Sequence, residues 1–164
     1  MSDCFIQFKS KDAGSLERTI IAFNIIKAEK SADSPSEKAI EDLFSGSERS
    51  YFRDLTPEEM KEWNEEWFST PIEIRHSARM PTPGWDFASM LDAFWNGEYQ
   101  LNEIEADNEM HRLTFTPFSY PYGGTACMVA LIESFGHDVV GVDDGTGYVK
   151  YVPRAIWQPK NGPK

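Results

Sequence analysis

The hydrophobic residues change their spacing at Gly97, and that change limits the fold more than any motif in the chain. Before Gly97 apolar residues recur at helical spacing; beyond it they alternate around one apolar stretch over 125–135. Helices in one half and hairpins in the other predict an α+β protein, with a helix-rich N-terminal half packed against a C-terminal ββαββ antiparallel sheet unit. At 164 residues the chain is long enough to bury a core without disulfide or metal staples. A single domain over 1–157 is expected, followed by a flexible, basic, proline-rich tail over 158–164.

In the N-terminal half, residues 4–9 alternate as a short strand. Residues 16–29 satisfy two templates. Leu16, Ile20, Phe23 and Lys27 follow a helix behind a Ser15 cap, while Thr19 to Phe23 is β-branched enough for a strand; the helix is preferred. Ser34-Pro35-Ser36-Glu37 and Thr56-Pro57-Glu58-Glu59 both carry a capping-box pattern with proline in the first helical turn. The first predicts a helix through Ala39, Ile40, Leu43 and Phe44 that stops at Gly46. The second predicts one with Met60, Trp63 and Trp67 on its apolar stripe and Met60 stapled to Leu55. Ile72 and Ile74 suggest a short edge strand over 71–76. Thr82-Pro83-Gly84-Trp85 opens another helix that ends at Gly97.

Beyond Gly97, strands are expected over 98–105 and 110–116, then a helix over 125–135, then a hairpin of 138–142 with 148–152. Asp138, Asp143 and Asp144 fit a hairpin and its turn better than a cation site. The predicted core holds Trp63, Trp67, Phe87, Leu91, Phe94, Leu113, Phe115, Leu131, Ile132, Val140 and Val142.

The chemistry-bearing stretch is 115–152, where bare backbone, a helix start, Cys127 and His137 come close in sequence, with His111 just before it. Gly123 and Gly124 precede Thr125, so a ligand can approach the amides of the helix opening there. Cys127 falls in that first turn, where a thiolate is favoured, and His111 on the preceding strand is the candidate base. Phe118, Tyr120 and Tyr122 form an aromatic loop braced by Pro117 and Pro121, suited to anchoring a partner. The expected binding set is Phe118, Tyr120, Tyr122, Gly123, Gly124 and Thr125, at the mouth of a concavity bounded by the helix start. His76, His111 and His137 match no zinc spacing with the two cysteines, and no cofactor fingerprint is present.

Charge narrows the partners. With 16 basic and 27 acidic residues the net charge is −11, which repels nucleic acid and anionic membranes. Two cysteines, no leader-like start and no apolar run of ~20 residues suggest a cytoplasmic protein. Three function classes remain. The preferred one is a binding module of inhibitor, immunity or adaptor type that engages a basic protein. The others are a thiol-dependent or anion-binding enzyme built on Gly123 to Cys127, and a homo-oligomer assembled through the tryptophans.

Overall fold

The first strand of the chain lies in the middle of its sheet. The computed structural model describes residues 4–77, 79–118 and 124–160. Within them run β1 (Cys4–Lys9), α1 (Ala13–Lys30), α2 (Lys38–Glu41), α3 (Gly46–Ser50), α4 (Pro57–Ser69) and α5 (Ile72–Arg75). Then follow α6 (Phe87–Asn96), β2 (Tyr99–Asp107), β3 (Met110–Pro117), α7 (Ala126–Ser134), β4 (Asp138–Asp143) and β5 (Tyr148–Lys150). The strand order is β2-β3-β1-β4-β5, and every neighbouring pair is antiparallel. The α+β class and the ββαββ unit are as the spacing predicts, with β1 inserted between the two hairpins.

Pairing on both edges fixes β1. Ile6 stands opposite Leu113 on one side and Val142 on the other, and the register slips between Gln7 and Phe8. One face carries Cys4, Ile6 and Phe8 into the core, where Leu101, Leu113 and Phe115 of the neighbouring strands join them. Helices α1, α6 and α7 pack there and contribute Phe23, Ile26, Leu91, Phe94 and Leu131. The other face is amphipathic. Arg112 lies 4.7 Å over the Phe5 ring, and the Tyr148 hydroxyl donates to Gln7 Oε1 at 2.8 Å. Gly141 permits that reach, because a Cβ there would stand 2.1 Å from the Tyr148 oxygen.

Helix starts follow capping chemistry, with corrections. Asp12, not Ser15, caps α1: its carboxylate accepts from Ser15 N–H at 2.7 Å, and the helix begins three residues early. At Thr56 both halves of the box form, Glu59 N–H to Thr56 Oγ1 at 3.1 Å and Thr56 N–H to Glu59 Oε1 at 3.0 Å. The Ser34 box does not form. Ser36 N–H donates instead to Glu29 Oε1 at 2.7 Å, and α2 is a single uncapped turn from Lys38. Gly46 opens α3 with φ +47° rather than ending a helix. Residues 72–75 form a helical turn where a strand is expected, and α6 is capped by Asp86. At its other end Lys30 of α1 donates to the carbonyls of Phe94 at 2.5 Å and Gly97 at 2.8 Å.

Seven of the eleven expected core residues are buried; Trp63, Trp67, Val140 and Val142 are half-buried. Met60 is exposed, so the staple to Leu55 does not bury it. The tryptophan stripe of α4 meets a segment the periodicity does not reveal, because Trp157 returns to place its ring 5.5 Å from Trp63. Thr82 and Ile156 form a parallel bridge beside it, and Trp157 N–H donates to Thr82 O at 2.8 Å. Lys160 N–H reaches Glu62 Oε1 at 2.6 Å.

His137 locks the start of α1 to the end of α7. Lys11 N–H donates to Nδ1 at 2.9 Å, so the proton sits on Nε2 and is given to Thr19 Oγ1 at 2.8 Å. Thr19 in turn donates to Ser15 O at 2.7 Å, and the imidazole is buried. Burial holds its pKa below the ordinary 6.5, opposed by Ser15 and Asp12 and assisted by His111 and Lys11. A depressed histidine stabilises the fold fully above that ordinary value, and the contribution is lost as pH falls through the folded value.

Two predictions follow from this packing. Leu131→Ala removes a fully buried side chain and should cost ~2–5 kcal/mol in urea denaturation. A loss under about 0.5 kcal/mol would contradict its place in the core. The urea midpoint should also fall between about pH 7 and about pH 5, more steeply in the wild type than in His137→Gln. Equal slopes would remove the lock.

Candidate functional site

The start of α7, the β4–β5 hairpin and two distant segments enclose a groove of about 500 Å³. Its volume lies in the range of sites that hold small ligands or single side chains. Thr125, Ala126, Val129, Ala130 and Glu133 of α7 form one wall. Val142, Asp144 and residues 149–152 of the hairpin form another, and Thr82 to Trp85 with Tyr51, Arg154 and Ile156 complete it. The bridge between Thr82 and Ile156 holds the last of these segments together.

Local sequence explains each wall. In the turn of the hairpin, the Asp143 and Asp144 carboxylates accept backbone N–H groups of Gly145 at 2.9 Å and Thr146 at 3.1 Å. Gly145 and Gly147 supply the positive φ angles it requires. The wall from α7 is apolar because the helix is apolar on nearly all sides: seven of its nine residues are buried. Glu133 is its one charged residue. Tyr51 donates to Glu133 Oε1 at 2.8 Å and Tyr151 to Oε2 at 3.4 Å, so a carboxylate held by two phenols lines the groove. Burial, then Glu133, pushes the Tyr151 hydroxyl up to about 12 and the Tyr51 hydroxyl higher, and both remain donors at neutral pH.

Thr125, at the helix start, lines this groove. Gly124 is exposed beside it. Phe118 is 68% exposed while its N–H is fixed to Glu98 O at 2.9 Å, so its ring is displayed from an anchored backbone. Tyr120, Tyr122 and Gly123 lie outside the described residues.

Cys127 and His111 are not brought together. The thiol is buried, 3.3 Å from the Tyr99 hydroxyl, and burial raises its pKa despite that hydrogen bond. A position in the first turn of α7 therefore does not make a reactive thiolate, because the side chain points into the core. His111 stacks on Phe8 with centroids 5.8 Å apart, and its Nδ1 is buried without a hydrogen-bond partner. It stands six residues along β3 from Pro117, the partner of Tyr99, which is on the order of 20 Å of strand.

Among the described residues no group of three or more His, Cys, Asp or Glu is placed to hold a metal ion, and no helix is long and apolar enough to cross a membrane. Comparison with known proteins finds no matching family, no matching curated protein and no matching solved structure.

Among the groove residues absent from the sequence expectation are Tyr51, Trp85, Glu133 and Tyr151. One signal for them exists in the sequence, a lone carboxylate in an otherwise apolar helix. The buried thiol yields a prediction. Cys127 should react with iodoacetamide in the folded protein orders of magnitude more slowly than in denaturant, as followed by mass spectrometry. Comparable rates in the two states would restore it as a candidate nucleophile.

Proposed function

We propose that this protein is a binding module for a protein partner of basic character, and that the groove with its bordering strand edge is the binding face. The observation that carries this is the concentration of displayed apolar surface beside the groove. Val149 is 63% and Val152 74% exposed, Ile156 is about half exposed, and all three line the groove. They surround β5, the terminal strand of the sheet, whose outer backbone edge has no strand partner among the described residues. An extended segment adds to such an edge through main-chain hydrogen bonds and places alternate side chains in an adjoining groove.

Charge supports a partner of opposite sign over a second copy of the chain. At −11 like molecules repel, whereas a basic partner is steered inward. Lys150 on the edge also works against self-pairing of β5. Of the expected binding residues, Thr125 lines the groove and Phe118 and Gly124 are exposed, and these three stay in this reading; Tyr120, Tyr122 and Gly123 lie outside the described residues. The buried state of Cys127 gives the enzyme alternative no support.

Selection of a random peptide library on the immobilised protein tests the proposal. Enriched segments should combine β-branched residues with Lys or Arg, and salt should weaken them. The double variant Val149→Ser with Val152→Ser should weaken the best segment by roughly tenfold or more. Both positions are exposed, so the fold should be unaffected. Absence of any enrichment, or binding indifferent to the double variant, would overturn the proposal.

A further inference from the structure

Among the described residues Glu133 is a carboxylate without a counter-ion. It is half-buried, its two oxygens are engaged by the neutral hydroxyls of Tyr51 and Tyr151, and among the described residues no lysine or arginine pairs with it. A charge withdrawn from water in this way attracts a cation more strongly than an exposed carboxylate does. Three aromatic residues, Tyr51, Trp85 and Tyr151, line the same groove. Aromatic faces are negative, and a carboxylate combined with such rings is a recurrent means of selecting a cation. The wall beside Glu133 is aliphatic, from Val129 and Ala130, both buried. It suits a hydrocarbon stem.

Lys150 and Arg154 also line the groove, and both are exposed, so solvent and salt screen their charge. Arg154 is directed to Ser77 O at 3.4 Å, and the acidic Asp144 lines the groove as well. Neither cation forms an ion pair with Glu133.

We propose that the groove is a receptor for one lysine or arginine side chain of the partner, with its aliphatic stem along α7 among the rings and its charge on Glu133. This rests on the protein-binding reading above and gives that partner its central contact. Tyr51 and Tyr151 act as positioning residues that hold both carboxylate oxygens in place. An entering ammonium or guanidinium donates to the lone pairs the tyrosines leave open.

The test uses the full chain and two kinds of probe. n-Butylammonium and n-butylguanidinium, titrated by calorimetry and proton NMR, should bind and shift the ring resonances of Tyr51, Trp85 and Tyr151. n-Butanol, the neutral counterpart, should bind roughly tenfold more weakly or worse. Glu133→Gln should erase that preference, and Trp85→Leu should reduce it without touching the carboxylate. Equal binding of butanol and the cations, or an unchanged preference in Glu133→Gln that keeps the wild-type fold by circular dichroism, overturns the proposal. The peptides from library selection separate it from the reading it rests on. If a selected segment tolerates norleucine at every Lys and Arg, the cation receptor fails and the protein-binding face stands. If the butyl cations bind with the stated preference but no segment is ever selected, the protein-binding reading fails, and the assignment to a partner's side chain fails with it.

Discussion

A helix with no continuous polar face has to be enclosed on every side, and α7 imposes that requirement on the rest of the molecule. Its sequence Ala-Cys-Met-Val-Ala-Leu-Ile-Glu-Ser offers water little that is polar. The chain meets the demand with β1 and β4 beneath, α6 alongside and α3 across. Helix α1 then closes over the sheet, where Arg18 ties it to Glu48 and to Leu43 O at 2.6 Å. Enclosure is incomplete at Ala126, which is exposed, and at Glu133, the helix's one charged residue, and both line the groove. The groove and the core have a common cause.

The same packing explains why the Cys127 thiol is buried. Cys127 occupies the first turn of a helix whose inward side is the wall of the core, so it serves as a small apolar residue beside Tyr99. Lys30 sits 4.7 Å over the Tyr99 ring while donating to the end of α6, and Gly97 has no Cβ because one would stand 2.1 Å from that ring. This crowded corner joins α1, α6, β2 and α7 through their side chains.

Much of the fold was legible in the sequence because it is local. The switch of period at Gly97, the box at Thr56, the apolar helix and both hairpins depend on neighbours a few residues apart. The failures also have local causes. Ser34 and Thr56 carry the same pattern, but the Glu29 carboxylate at the end of α1 holds the Ser36 amide and the helix starts only at Lys38, behind Glu37 and not behind Ser34. Ile72 and Ile74 satisfy period two over too few residues to exclude a helical turn, and the free sheet edge is claimed by no proline-led segment there. What periodicity cannot convey is partnership. The alternation of Cys4, Ile6 and Phe8 would look the same in an edge strand, and the half-buried tryptophans of α4 gave no sign that Trp157 would return to cover them. The helix start at Thr125 was legible from the glycines before it. The floor of the groove it lines was not, because Tyr51, Glu133 and Tyr151 meet through the fold and not through spacing.

The central position of β1 has a consequence in time. Cys4 pairs with Phe115 and Phe5 with Asp143, so the strand translated ahead of its partners gains neither neighbour until most of the chain has left the ribosome. Contacts so distant in sequence slow folding, because the loop between them must close before either pairing is rewarded. Until then Ile6 and Phe8 are exposed on a strand with two open edges, the kind of segment that recruits strays. The polar residues that alternate with them, Gln7 and Lys9, are the chain's own safeguard during that interval.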